Sequence, residues 1–345
     1  MILIRILLLP FSWLYYLITQ VRNVLYDRGI KPSVEFEVPV ICVGNLAVGG
    51  TGKTPMIEHL IRLLKDDFNV ATLSRGYGRT TKGFRIAGPN DSAATLGDEP
   101  FQFYQKFEHS ITVAVGEERA LAIPTILQEK ENTNVILLDD GFQHRRVRPG
   151  FSILLSDYSK PFYNDFLLPA GRLRESRWGA ERANAVVITK CPAALSEEEM
   201  IRIEQCVRSY VSIPIFFTTI RYANPVPFHN ASAAPSKEIA LITGIANSKP
   251  LEDYISGSYT LADHIRFRDH HQYSKADVQD IATKARNNPS LSFITTEKDS
   301  VKLKAPEFNS LLANVPLFVL PIEIDFIKGG KDFDEMILNA VNGKI

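Results

Sequence analysis

The chain has 345 residues, 45% of them apolar and 23% charged, with 39 basic against 39 acidic side chains. That length suits about two domains at roughly 100–200 residues each, and the composition is that of a globular protein. The zero net charge gives no electrostatic reason to expect nucleic acid as a partner. The three cysteines, Cys42, Cys191 and Cys206, lack CxxC spacing; they read as reduced, buried thiols, not a zinc site or a disulfide framework.

An uncharged run of 16 residues, Ile6–Val21, stands between Arg5 and Arg22. A spanning helix needs about 20 apolar residues, and this run also contains Pro10. A helix lying in the membrane interface fits, with Trp13, Tyr15 and Tyr16 at headgroup level and Arg5, Arg22 and Arg28 toward anionic lipid. A core or partner-packing helix, a spanning segment and a signal peptide stay open, though no A-x-A-like cleavage site follows.

From Val38 the pattern changes. Val38–Val43, Val70–Leu73, Ile111–Val115, Val135–Leu138, Ser152–Leu155 and Val186–Thr189 are short, apolar and β-branched, as buried parallel strands are. Helical stretches alternate with them: 56–65 with Met56, Leu60, Leu63 and Leu64 on one side, then Arg119–Glu131 and Ser196–Val211. Residues 222–237, rich in Pro, Ala, Ser and Asn, read as a linker. A second set follows: Ile239–Thr243, helices near Pro250–Ile255 and at Lys275–Arg286, then Ser292–Thr296, Leu317–Leu320 and a helix at Asp332–Val341. The expected fold class is α/β: a P-loop NTPase-like parallel sheet with helices on both faces, plus a second, smaller α/β lobe. The expected divisions are 1–28, 29–221, a linker at 222–237 and 238–345, with the last helix able to pack back on the first lobe. A cleft between two lobes is a usual ligand site.

Five motifs carry chemistry. GNLAVGGTGKT, residues 44–54, sits between a strand and a helix. Gly49, Gly50, Thr51 and Gly52 would let backbone N–H groups converge on phosphate oxygens, Lys53 would reach the β- and γ-phosphates, and Thr54 would ligate Mg²⁺. Ala47 departs from the strict G-x-x-x-x-G-K-[ST] pattern. VILLDDGFQH, residues 135–144, ends an apolar strand in Asp139 and Asp140, as a Mg²⁺-holding strand does. LGDEP, residues 96–100, places Asp98 and Glu99 where they either cap a helix or serve as general base and metal ligand. RDHHQYS, residues 268–274, is compatible with a proton-transfer pair, a metal site or a solvated loop. The Gly-flanked arginines Arg75, Arg79, Arg172 and Arg174 match phosphate chemistry if they converge.

Together VGNLAVGGTGKTP, LSRGYGR, GDEP, DDGFQHRRV, LLPAGRLRE, ITK, LITGIANS, FRDHHQYS and TEKDSVKL resemble the tetraacyldisaccharide 4′-kinase (lipid A 4′-kinase) family, in the family's order and over most of the chain. The resemblance implies an ATP- and Mg²⁺-dependent kinase for the 4′-hydroxyl of a tetraacylated glucosamine disaccharide 1-phosphate. It implies two lobes joined by a β-ribbon-like linker, with the site between them and the N-terminal helix at the cytoplasmic face of the inner membrane. Asp98 then matches the catalytic base, His270 its supporting histidine, and Glu99, Asp139 and Asp140 metal-linked acids. Arg174 matches an arginine near the phosphates, while Arg75, Arg79, Arg119 and His144 are weaker matches for anionic contacts. Arg172 stands where many members carry proline. The competing class is a regulatory P-loop ATPase or GTPase acting on a protein partner at the membrane; against a GTP switch, the NKxD-type base signature is replaced by TKCP at 189–192.

Overall fold

The computed structural model describes residues 2–229, 234–269 and 271–343. Val40–Asn45 is buried along its whole length, as a strand covered on both faces must be. It lies centrally in a nine-stranded sheet whose order runs Ile322–Lys328, Ile215–Tyr222, Ala185–Thr189, Phe151–Asp157, Val40–Asn45, Val135–Asp139, Val70–Ser74, Thr112–Val115, Arg85–Ile86. The inner strands are parallel and the two edge strands antiparallel. The strands Val70–Ser74, Thr112–Val115 and Val135–Asp139 fill one side of Val40–Asn45 before the chain crosses to Phe151–Asp157 on the other, so the crevice beyond its C-terminal end is a topological switch point.

Alternate strand residues supply the two cores. Ile41, Val43, Val135, Leu137 and Val187 meet the helices Lys53–Leu64, Asp98–Phe107 and Gly330–Val341 on one face. On the other, Val40, Cys42, Ile136 and Leu138 meet Arg119–Glu129, while Leu154, Val186 and Ile188 meet Glu197–Arg208. The cysteines form no disulfide.

The second sheet runs Thr260–Arg266, Glu238–Thr243, Ser292–Thr296, Leu317–Leu320, Val226–Pro227, with only the last strand antiparallel. Two expectations about segment boundaries need correction. Val226–Pro227, inside the expected linker, is an edge strand of this sheet. The strand Ile322–Lys328, expected in the second lobe, pairs instead with Ile215–Tyr222 of the first sheet, and the last helix, for which packing back on the first lobe was left open, places Phe333, Ile337 and Val341 in that lobe's core. Pairing across distant segments overrides sequence order here. The outgoing and returning chains run side by side, with Ala223 N donating to the Pro321 carbonyl at 3.0 Å, so the lobes are joined by a two-stranded ribbon.

The helix Ile2–Asp27 is polar on the inside. Ser12, Tyr15, Thr19 and Asn23 recur at helical spacing. Ser12 Oγ donates to the Leu167 carbonyl and accepts from Ala170 N, both at 3.0 Å. Tyr15 Oη donates to the Arg174 carbonyl at 2.8 Å and Asn23 Nδ2 to Glu175 at 3.2 Å. Phe11, Trp13, Leu14 and Ile18 are all more than half exposed. Only 11% of the most apolar 18-residue window is buried, so this is not a core helix.

The returning helix contributes to the first lobe's stability. Phe333 is fully buried among Phe216, Phe326 and His59. Phe333→Ala should destabilise the protein by about 3–5 kcal/mol, measured as a lowered denaturant midpoint; an unchanged midpoint would contradict the packing described.

Candidate active site

The helix Lys53–Leu64 starts directly after the Gly-rich loop. Gly49 and Gly52 take φ of 116° and 83°, backbone that a Cβ resists. Side chains brace the turn: Asn45 Nδ2 donates to Thr51 Oγ1 at 2.7 Å, Thr189 Oγ1 to the Thr51 carbonyl at 2.9 Å, and Lys190 Nζ to the Gly50 carbonyl. A helix N-terminus behind a glycine loop is suited to anionic oxygens. Ala47 is buried in the core with Leu46, Phe142 and Leu154 and pairs with Leu173, so its methyl packs inward. Arg172, the departure in the neighbouring loop, keeps its backbone pairing: its carbonyl accepts from Val48 N at 2.8 Å, and its side chain pairs with Asp165.

The adjacent strand Val135–Asp139 brings the acids to the same edge, with Val43 in register with Asp139. Asp139 is 4% exposed; Oδ2 accepts from Ser74 Oγ at 3.2 Å, while Oδ1 has no hydrogen-bond partner among the described residues. Burial, with the charge of Glu99 nearby, pushes its pKa up to about 7. Asp140, with φ of 50°, accepts from both Arg174 Nη atoms at 3.0 and 2.7 Å and lies 3.7 Å from Lys53 Nζ. Burial alone would raise its pKa, but the Arg174 hydrogen bonds and the Lys53 charge bring it down to about 2. An orphaned buried carboxylate oxygen among acids suits an oxygen-seeking dication. Among the described residues no three His, Cys, Asp or Glu side chains form a closed metal cage. An ion that keeps water and substrate oxygens in its shell does not require one.

Arg174 also donates to Asn45 Oδ1 and, at 3.2 Å, to the Asn45 carbonyl. Gln143 Nε2 spans the Asn45 carbonyl and Glu175, each at 2.8 Å, and Arg182 grips both oxygens of Glu175 at 2.8 Å. Sequence reading gave no role to Asn45, Gln143, Glu175 or Arg182, although all but Arg182 lie inside the quoted motifs.

Arg119 is 2% exposed; it contacts His144 Nε2 at 2.7 Å and donates to the Asp139 carbonyl at 3.2 Å. It therefore braces the acidic motif. Arg79 Nη2 donates to Glu117 and the Gly83 carbonyl, both at 2.6 Å, while its Nε and Nη1 have no hydrogen-bond partner among the described residues. Arg75 is exposed and lends positive charge near His144.

Asp98 and Glu99 begin the helix Asp98–Phe107 after Gly97. The second lobe reaches this point through the helix Glu297–Leu303: Lys302, with its side chain 3% exposed, pairs with Asp98 at 3.1 Å and donates to the His271 carbonyl at 3.0 Å. Sequence reading missed Lys302; TEKDSVKL signalled the segment but not the role. His270, the expected support of Asp98, lies outside the described residues. His271 is occupied with Asp277 at 3.1 Å and stacks on Phe267.

The chain is similar to known proteins over nearly its whole length. A model of the tetraacyldisaccharide-1-P 4′-kinase family matches residues 4–342. The tetraacyldisaccharide 4′-kinase of Flavobacterium johnsoniae is 46% identical over 343 residues, covering 98% of each chain. The Bacteroides thetaiotaomicron protein of the same name is 42% identical, covering 97% of this chain and 92% of its own. The crystal structure of LpxK from Aquifex aeolicus in complex with ATP superimposes with a TM-score of 0.77 at 28% identity, covering 98% of this chain and 99% of that one.

The Arg119–His144 contact is open to titration. Burial, with the charges of Arg119 and Arg75, lowers the His144 pKa to about 4. Because the unfolded chain then binds the proton more readily, His144 favours the folded state above about pH 6.5 and that contribution is lost as pH falls toward 4. NMR titration should find His144 neutral above about pH 5. Arg119→Met should move its midpoint upward; an unchanged midpoint would show that Arg119 is not a cause.

Proposed function

The chain belongs to the tetraacyldisaccharide-1-phosphate 4′-kinase family, a phosphotransferase that moves the γ-phosphoryl group of ATP to the 4′-hydroxyl of a tetraacylated glucosamine disaccharide 1-phosphate, and on that premise we propose how its residues divide the work. The observation that carries the assignment is the shared sheet edge: the Lys53 loop and Asp139–Asp140 leave adjacent parallel strands in register. Backbone N–H groups at Gly49, Gly50, Thr51 and Gly52 take the ATP phosphates, and Lys53 offsets charge on the transferred group. Arg174 fixes Asp140 and adds positive charge beside that loop. Thr54, Glu99, Asp139 and Asp140 are the residues that would hold Mg²⁺, which when bound neutralises charge on phosphate oxygens.

The acceptor is an alcohol, a poor nucleophile until its proton begins to leave. Asp98 takes that proton, with His270 assigned as its support; the ion pair to Lys302 fixes the carboxylate's position. The reacting groups therefore come from both lobes: 29–221 with its returning C-terminal segment, and the second lobe. Arg75, being exposed, remains a candidate for an anionic group of the substrate, whereas Arg119 and His144 act from beneath the acids.

The substrate's acyl chains resist leaving the bilayer at about 0.8 kcal/mol per buried CH₂. The N-terminal helix holds its polar stripe against the kinase lobe and turns Phe11, Trp13, Leu14 and Ile18 outward, which supports docking in the membrane interface. ATP is a cytosolic nucleotide, so the docked face is the cytoplasmic one. The regulatory-switch alternative is not favoured by the relatives.

Incubation with labelled ATP and tetraacyl disaccharide 1-phosphate should label the lipid. Asp98→Ala should reduce turnover about 10²–10⁴-fold in a protein with unchanged thermal unfolding; full turnover would reject Asp98 as the base. Trp13→Glu combined with Ile18→Glu should move the protein from vesicle-bound to free in co-sedimentation. If the doubly substituted protein stayed on the vesicles, the docking assignment would fail.

A further inference from the structure

A charged cluster away from the phosphates joins the parts that carry the chemistry. Glu58 lies on the helix that begins with Lys53 and Thr54, and its side chain is 1% exposed. Lys106 stands near the end of the helix that begins with Asp98 and Glu99. Glu297 opens the second-lobe helix that carries Lys302 to Asp98. Lys106 Nζ reaches Glu58 Oε2 at 2.6 Å and at the same time donates to Glu297 Oε1. The other oxygens are occupied too: Gln102 donates to Glu58 at 2.8 Å, and Ile322 N donates to Glu297 Oε2 at 3.1 Å, where the chain returns to the first lobe. Arg62 adds a contact to Glu58 at 3.3 Å and lies 3.7 Å from Glu323 on the returning strand.

From this arrangement we infer that Lys106 and Glu297 are positioning residues: their interlobe ion pair, anchored on buried Glu58, sets the second-lobe helix that carries Lys302 against Asp98. The inference rests on the roles assigned above to Asp98 and Lys302. The three helices that carry Lys53, Asp98 and Lys302 share one ammonium. A buried carboxylate such as Glu58 holds that partner strongly, because without it only Arg62 is left to offset the charge. Lys106 is thus held on the first lobe's side, and Glu297 takes the position relative to it that the pair dictates. A shift of about 1 Å between reacting groups can cost about 100-fold in rate, so a pair that fixes lobe spacing acts on turnover without touching substrate. The cluster touches none of the groups assigned to phosphate, which predicts that nucleotide binding does not depend on it.

The test uses full-length protein in mixed micelles with ATP and tetraacyl disaccharide 1-phosphate. Lys106→Met and Glu297→Gln should each lower kcat about 10- to 100-fold while the KM for ATP stays within about twofold. The double variant should be no slower than the slower single variant, since both remove one interaction. Lys106→Arg should recover most of the rate. Losses that multiply in the double variant, a kcat unchanged in Glu297→Gln, or a KM for ATP rising in step with the fall in kcat would each overturn the inference. If Lys106→Met does not fold, Glu297→Gln decides alone, because it leaves the Lys106–Glu58 pair intact. Asp98→Ala is measured alongside. Residual full turnover there rejects the base assignment itself, whereas the kcat and KM pattern of the other variants bears only on the interlobe pair.

Discussion

The Arg174–Asp140 pair is the interaction on which the site depends. Asp139, Asp140 and Glu99 are gathered at one sheet edge, and Asp139 is buried. Like charges in a poorly solvated place repel unless cations are fixed among them. Arg174 supplies a planar fork that grips both oxygens of Asp140 and extends to Asn45, while Lys53 approaches from the loop. Asp140 is thereby held as a carboxylate, and Asp139 is left with an oxygen that has no hydrogen-bond partner among the described residues. The same arginine carries the connection outward, since its carbonyl accepts from Tyr15 on the N-terminal helix. The N-terminal helix, the glycine loop and the acidic motif are joined through one residue.

The second organising feature is the return of the chain. Had the polypeptide ended in the second lobe, a single connection would hold the lobes together. Instead Ile322–Lys328 comes back beside Ile215–Tyr222, and the last helix is buried in the first core. A ribbon of two hydrogen-bonded chains restricts how the lobes can turn, and Glu297, bonded to Ile322 N, sits where the ribbon enters the second lobe. The ion pairs Lys302–Asp98 and Lys106–Glu297 then cross between lobes that are already close. Charge pairs of this kind hold position well because the ribbon has already met much of the entropic cost of bringing them together.

Much of this was legible in the residues themselves. The strand-to-helix frame around GGTGKT, the apolar strand ending in two aspartates, and the alternation of short apolar runs with amphipathic helices are local signals, because spacing along the chain reports directly on which side chains share a face. The N-terminal run was legible as apolar, yet its orientation was not. Ser12, Tyr15, Thr19 and Asn23 form a polar stripe whose meaning depends on what it meets, and only the Leu167–Glu175 loop reveals it as the inward side.

The sequence alone determined the local frames proposed for the nucleotide end: Lys53 and Thr54 follow a glycine loop, and Asp139 and Asp140 end an apolar strand, each frame being set within a few residues. The tertiary structure decided the rest. Lys106 and Glu297 are separated by 191 positions, and Arg174 from Asp140 by 34, so no local period links them. Their meeting follows from strand order, from the returning edge strand and from the desolvation that makes each buried charge seek a partner. Those are properties of the assembled fold, because burial and dielectric environment do not exist until distant segments have packed.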